Sequence, residues 1–312
     1  MLLDFWERAE VSGVNMEVLY DVAEVSRQSF HQWKQPSLSE LERPPQQEVV
    51  EIARLVRKKY LPGAGARMIY DYIRQHLPEY SMRLKRCGKH LFEAFCLEGG
   101  MRVTARKSIP KTTEHGEFTF PNLIEGMVVW DIDCIWVCDI TYVFGKHGKL
   151  IAYATSLMDV YSRRMLGLSF SQTMHAALTS SEVIRQALKA RKKTRFDQLI
   201  FHSDGGKQFI EKNFLNTIRK AEILSSMARN CLENGFSEAL HDTLKNHMAH
   251  DADFNSFLQF KKNETFFKDC YNFNKPHSAL NKMTPVAYEQ HILNLKICQR
   301  TKLTIKVIEP KR

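Results

Sequence analysis

Three acidic residues in this 312-residue chain stand where chemistry could be done. Asp139 lies inside Ile135-Trp136-Val137-Cys138-Asp139-Ile140-Thr141-Tyr142, a run otherwise uncharged, β-branched and aromatic. Asp204 follows a short apolar run in His202-Ser203-Asp204-Gly205-Gly206, and Glu238 falls in a helical pattern further on. Each has an ordinary reading: a strand carboxylate bonded to amides, a strand-end Asp-Gly turn, a solvated helix face. Brought together, the three could not all stay ionised without cations to neutralise them. Oxygen-only ligands suit Mg²⁺, with Mn²⁺ as a substitute, and a pair of such ions suits phosphodiester chemistry. One ion would activate a water or 3′-hydroxyl and the other would stabilise the leaving 3′-oxygen.

The elements around these residues are legible from periodicity. Alternation puts Ile135, Val137, Asp139, Thr141 and Val143 on one face of a strand, and Trp136, Cys138, Ile140, Tyr142 and Phe144 on the other. A strand apolar on both faces belongs in the middle of a sheet. A turn at 145–148 leads to a second strand over 149–158, and a third spans 164–171. The pattern then predicts a helix over 176–191, a strand over 198–203, a helix over 211–220, a strand over 223–227 and a long helix over 236–250. In that last helix Phe236, Leu240, Leu244 and Met248 bury one face, and Glu238, His241 or Asp242, and Lys245 share another. Three antiparallel strands followed by alternating helix and strand give an α/β, ribonuclease H-like order: a mixed five-stranded sheet with flanking helices. Ligands in such units sit outside the strand ends.

The first third of the chain is different. Net charge is +10, and residues 43–111 hold 15 Lys and Arg against 6 Asp and Glu. A surplus so concentrated points to a polyanionic partner, DNA above all. Residues 18–33 read as two short helices, with Ser26 capping the second and Val18, Leu19, Val22 and Ala23 forming a buried stripe. Arg27, Gln28 and His31 would then face outward as a recognition helix presents its side chains. Past a Pro-containing linker, residues 48–60 form an amphipathic helix. Its inner residues are Val49, Ile52, Ala53 and Val56, and Arg57 and Lys58 are among its outer ones. A second helix spans 66–77, and a third starts near Ser81 with Arg83, Lys85 and Arg86. Small all-α, helix-turn-helix-like units therefore precede the α/β core.

Seven cysteines, an odd number with no Cys-x-x-Cys pair, read as reduced thiols in a cytosolic protein. No His/Cys cluster has zinc spacing, and His241, His247 and His250 read as surface histidines. No apolar run approaches membrane-spanning length.

The chain resembles the integrase-core protein, the product of the second reading frame, of insertion-sequence transposases of the IS-three type. These stand within the retroviral-integrase superfamily of DDE enzymes. The matching pieces are Trp136-x-x-Asp139-Ile140-Thr141-Tyr142, Met158-Asp159-Val160-Tyr161-Ser162-Arg163 and Phe201-His202-Ser203-Asp204-Gly205. Further on come Ser226-Met227-Ala228-Arg229, Asn230 to Asn234, Glu238 with Lys245 seven residues later, and Asn274-Lys275-Pro276-His277-Ser278-Ala279-Leu280 before Thr284-Pro285. Gly65-Ala66-Arg67-Met68-Ile69-Tyr70 resembles the family's second helix-turn-helix. The resemblance implies a catalytic, metal-holding triad of Asp139, Asp204 and Glu238. It implies metal-dependent DNA cleavage and strand transfer at element ends, without a covalent enzyme–DNA intermediate. It also implies homo-oligomers on paired ends, a possible upstream reading-frame partner, and Asp159 and Arg163 as structural or DNA-facing neighbours.

DNA-facing candidates are Arg27, Gln28, His31, Arg57, Lys58, Arg67, Arg83, Lys85, Arg86 and, in the core, Lys245, placed to hold a phosphate. The expected organisation is a helix-turn-helix over 1–36, a linker over 37–46, a second basic helical domain over 47–97 and a basic linker over 98–128. A DDE core over 129–290 and a basic tail over 291–312 follow. The interval from Asp204 to Glu238 is slightly shorter than the family's, and Leu232-Glu233 replaces its usual Trp-Asp. Glu233 is thus a rival third carboxylate, as Asp131 and Asp133 are rivals to Asp139. A DNA-binding chain with a decayed core and a plain metal nuclease are the competing functions.

Overall fold

The computed structural model describes residues 15–22, 26–28, 43–103, 119–144, 149–228, 235–244, 254 and 256–306. Contacts divide the chain into two compact units: Met1–Ala53 with Ala66–Met101, and Arg54–Gly65 with Arg102–Arg312.

Helix α1 (Met16–Val22) leaves Val18 and Val22 exposed, at 55% and 77%, so the buried stripe expected there is not formed at these positions. A seven-residue helix cannot cover its own apolar face, and periodicity names the face without supplying a surface to pack it on. Phe30, His31 and Trp33 lie outside the described residues. Helix α2 (Gln46–Lys59) buries Val49, Ile52, Ala53 and Val56, the expected stripe, and α3 (Ala66–His76) buries Ile69 and Ile73.

The third basic helix is two helices, α4 (Pro78–Arg83) and α5 (Lys89–Glu98). Arg74 separates them. Its guanidinium donates to the carbonyls of Ser81 (3.0 Å), Leu84 (3.0 Å) and Cys87 (3.3 Å), and Gly88 enters α5 in an extended conformation. Carbonyls turned to a guanidinium are not carrying a helix onward.

In the second unit the sheet runs β4-β3-β2-β5-β6, from β2 (Ile135–Phe144), β3 (Leu150–Asp159), β4 (Met165–Ser171), β5 (Ile200–Ser203) and β6 (Leu224–Met227). The first three in chain order pair antiparallel, and β5 and β6 join parallel beside β2. β2 is therefore central, as its two apolar faces require. Ile135, Val137 and Val143 pack into one core and Trp136 and Cys138 into another, which confirms the alternation.

Helices α6 (Ser180–Arg191) and α7 (Lys212–Lys220) cover the Trp136 face through Val183, Ile184, Phe214 and Ile218. On the Ile135 face lie α8 (Gly235–Asp242), α9 (Phe257–Lys262), α10 (Glu264–Asp269) and α11 (Pro285–Leu293), which contribute Leu240, Phe260, Phe267 and Ile292. This is a ribonuclease H-like architecture. A two-residue ribbon, β1 (Val128–Val129) with β7 (Leu303–Thr304), completes the unit.

Two local features set helix placement. A Cβ on Gly167 would stand 2.6 Å from the Val183 carbonyl oxygen, so α6 lies close on β4 only because that side chain is missing. Glu211, expected inside a helix, instead caps α7: its carboxylate accepts from the amides of Asn213 (2.9 Å) and Phe214 (3.0 Å).

Candidate active site

The parallel register of β2 and β5 ends with Cys138 opposite Ser203. The next residue of each chain segment is Asp139, still within β2, and Asp204, the first residue past β5. The alternation that puts Val137 on the face covered by α8 puts Asp139 there as well. Cys138 records the proximity of the two aspartates. Burial pushes its thiol well above the ordinary range, and the charges of Asp139 and then Asp204 push in the same direction.

Neutral donors orient the pair. Asp139 Oδ1 accepts from the Ile140 amide at 2.7 Å, and Asp204 Oδ1 from the Gly206 amide at 3.1 Å. His241 stands against the first of them, with Nδ1 3.4 Å from Asp139 Oδ2 and Nε2 3.1 Å from Ser156 Oγ. Ser156 is the residue opposite Asp139 in the β2–β3 register. His241 is only 3% exposed, which corrects its reading as a surface histidine. Helix α8 lays Leu240 and His241 together onto the sheet, so the polar face expected to reach solvent is partly a packing face.

Glu238 is exposed, in the first turn of α8, three residues before His241 and so on the same side of the helix. The structure thus sets His241 against Asp139, with Asp204 just past the end of the neighbouring strand, and places Glu238 one turn before His241 on α8. Glu233, Lys245, His247 and His250 lie outside the described residues. Among the described residues no three His, Cys, Asp or Glu side chains are grouped closely enough to hold a metal ion. The donors at the sheet edge are nonetheless oxygen, with the Asp139 side chain 14% exposed, and two carboxylates in so sheltered a place fit a hard divalent cation.

Two stretches distant in sequence grip α8. The Arg163 guanidinium lies 4.2 Å from the centroid of the Phe236 ring, from a backbone at φ 61°. Lys275 is pushed down by burial, against the opposing pull of Asp242. Nothing in the pattern of residues 158–163 or 274–280 announces this role, because it depends on contacts made across the fold.

A second polar cluster lies at the start of β2. Asp159 accepts from the amides of Asp133 and Ser162, both at 2.7 Å, and from the Ser162 hydroxyl at 2.7 Å. Arg191 donates to Asp133 (2.6 Å) and twice to Glu289 (2.9 and 2.8 Å), and Arg164 also reaches Glu289. Burial raises the Asp159 carboxyl to about 6 in spite of Arg191. Burial pushes Glu289 the same way, but hydrogen bonds and charge from Arg191 and Arg164 bring it below the usual carboxylate range. Asp133 is therefore a member of this network, and Asp131 pairs with Arg300.

Of the DNA-facing candidates, Arg27, Gln28, Lys58, Lys85 and Arg86 are exposed and Arg57 is half-buried. Arg67 is tied to Glu93 and Arg83 to Glu48, each at 2.7 Å on the surface, where such pairs open at little cost. No helix of the described residues is long and apolar enough to cross a membrane.

Residues 133–231 match the family model described as Integrase core domain, and residues 220–285 match a second model with the same description. Over 164 residues the chain is 30% identical to the transposase for insertion sequence element IS904 of Lactococcus lactis, covering 50% of this chain and 61% of that protein. Over 155 residues it is 26% identical to the putative transposase InsK for insertion sequence element IS150 of Escherichia coli, covering 49% of this chain and 53% of that one. The match thus spans less than two thirds of either relative. The HTLV-2 integrase catalytic core domain in complex with magnesium superposes with a TM-score of 0.40 at 16% identity, over 54% of this chain and 99% of that one.

Proposed function

From an integrase core domain of the insertion-sequence transposase kind at residues 133–285, we propose that this chain binds insertion-sequence ends and cuts and joins DNA strands by metal-dependent transesterification. The observation that carries the reading is the parallel pairing of β2 with β5, which ends at Cys138 opposite Ser203, one residue before Asp139 within β2 and Asp204 just past β5. In this reading Asp139, Asp204 and Glu238 hold two Mg²⁺ ions, for which Mn²⁺ substitutes. When bound, such ions supply an activated oxygen nucleophile and charge neutralisation at the leaving 3′-oxygen.

The chain's own residues have separate tasks. Asp139 and Asp204 are fixed before any ligand arrives, because backbone amides hold one oxygen of each. Glu238, exposed at the start of α8, completes the set from the solvent side. Lys245 holds a phosphate near the site, and Arg57, Lys58, Arg67, Arg83, Lys85 and Arg86, with Arg27, Gln28 and His31, carry the DNA. The arrangement as separate helix-turn-helix, basic helical and DDE domains belongs to the same reading. So do a homo-oligomer on paired ends, joined where needed by an upstream reading-frame protein, and action in the bacterial cytoplasm at the nucleoid.

The test is a cleavage and strand-transfer assay on labelled element-end DNA with Mg²⁺, Mn²⁺ or EDTA, for wild type and Asp204→Asn. Joined products that require metal and vanish in the variant are expected. Cutting without joining would make the chain a nuclease of this fold, and binding without cutting would make it a DNA-binding protein with a decayed core.

A further inference from the structure

We propose that His241 is a positioning residue: it seats the helix bearing Glu238 against Asp139 and fixes the orientation of that carboxylate. The inference rests on the metal-holding role proposed above for Asp139. Three observations carry it. His241 is buried, although an imidazole facing water would have cost the fold less. Its two nitrogens address a cross-strand pair, Nδ1 toward Asp139 Oδ2 at 3.4 Å and Nε2 toward Ser156 Oγ at 3.1 Å. Its neighbour Leu240 is locked in the core, so α8 cannot rotate without dragging the imidazole off both strands.

In the tautomer in which the Ser156 hydroxyl donates to Nε2, the proton resides on Nδ1, on the Asp139 side of the ring. At 3.4 Å this is a long contact, one that leaves the carboxylate free to bind a cation while limiting its rotation. Glu238 lies one turn earlier on the same side, so the seat of His241 also sets where Glu238 projects. A group behind a metal-ligating residue that orients it typically changes metal affinity or activity 10–100-fold when removed.

The experiment uses the full chain and Mn²⁺ as the probe, with free ion counted by electron paramagnetic resonance. The variants are His241→Ala, His241→Asn, His241→Gln and Asp139→Asn, each checked for folding by thermal unfolding. An asparagine amide reaches the position of the imidazole Nδ1, and a glutamine amide that of Nε2. We expect Ala to weaken Mn²⁺ binding about tenfold, Asn to restore most of it, and Gln to resemble Ala. In strand cleavage the same variants raise the half-saturating metal concentration more than they lower kcat. Should Ala fail to fold, the contrast between Asn and Gln decides the matter.

Wild-type affinity in all three His241 variants, or rescue by Gln and not Asn, would overturn the inference, provided Asp139→Asn loses binding. If Asp139→Asn binds Mn²⁺ as wild type does, the metal-holding reading of Asp139 fails, and this inference falls with it.

Discussion

Two acidic clusters sit along the same central strand, one at its start and one at its middle, and they are built in opposite ways. Near its start, Asp133, Asp159 and Glu289 surround the guanidinium of Arg191, with Arg164 adding a second positive charge. Near its middle, Asp139 and Asp204 are held by backbone amides and an imidazole. The first cluster is closed by the protein's own cations, so its charges are structural. In the second, the donors among the described residues are backbone amides and an imidazole, an arrangement suited to a cation that comes and goes. In the sequence, Asp133 stands only as a rival to Asp139; what surrounds them separates the roles.

The largest effect should come from the second cluster. Asp139→Asn and Asp204→Asn should each lower strand cleavage by about 10³-fold or more while DNA affinity stays near wild type. Cleavage kinetics alongside a binding titration would show it, and a modest loss would erase the distinction between the clusters. In the first cluster the effect should fall on stability. Arg191→Met takes the guanidinium from Asp133 and the buried Asp159 and leaves buried Glu289 with Arg164 alone, and should cost about 3–5 kcal/mol in denaturant unfolding.

Next comes a pH dependence. The folded Asp159 carboxyl titrates near 6, above its unfolded value, so its contribution is fully present below pH 4 and lost as pH rises through 6. Glu289 is depressed and contributes in the opposite sense, losing stability as pH falls through its folded pKa. The groups facing Asp159 are Arg191, Asp133 and Ser162. The Ser162 oxygen lies 2.7 Å from Asp159 and 2.8 Å from Glu289 with one hydrogen to offer, so a proton on Asp159 supplies the bond otherwise missing. Wild type should therefore lose about 2 kcal/mol relative to Asp159→Asn between pH 4 and 7. A flat difference would mean Asp159 stays ionised throughout.

The smallest effect should be at the surface. Arg67→Gln breaks a 2.7 Å ion pair, as short as those in the buried network, yet should change stability by less than about 1 kcal/mol. A larger loss would mean that contact length rather than burial sets the energy.

Much of the core was legible because its signals are local. The two faces of β2, its central position and the order of strands and helices all follow from alternation and apolar spacing. What escaped depends on contacts between residues far apart. The buried position of His241 is decided by α8 docking on β2 and β3, and the Arg191–Glu289 pair joins residues 98 positions apart. The division of the third basic helix is decided by Arg74, which sits in the helix before it. Glu211 as a cap was in principle readable, since it immediately precedes an apolar-periodic helix, but an acidic residue there fits equally well inside the first turn.

The parallel pairing of β2 with β5 has a further consequence, for how the chain can tolerate changes of length. The two segments march in the same direction, and only four residue pairs, Ile135–Ile200 through Cys138–Ser203, measure out where Asp204 stops. A residue gained in the connection at 192–199 would merely enlarge a loop. One gained within 200–203 would turn Asp204 to the opposite face of the sheet, toward the core that holds Trp136. Such an insertion would displace Asp204 without altering any residue at the site, and an inventory of site residues alone would miss it.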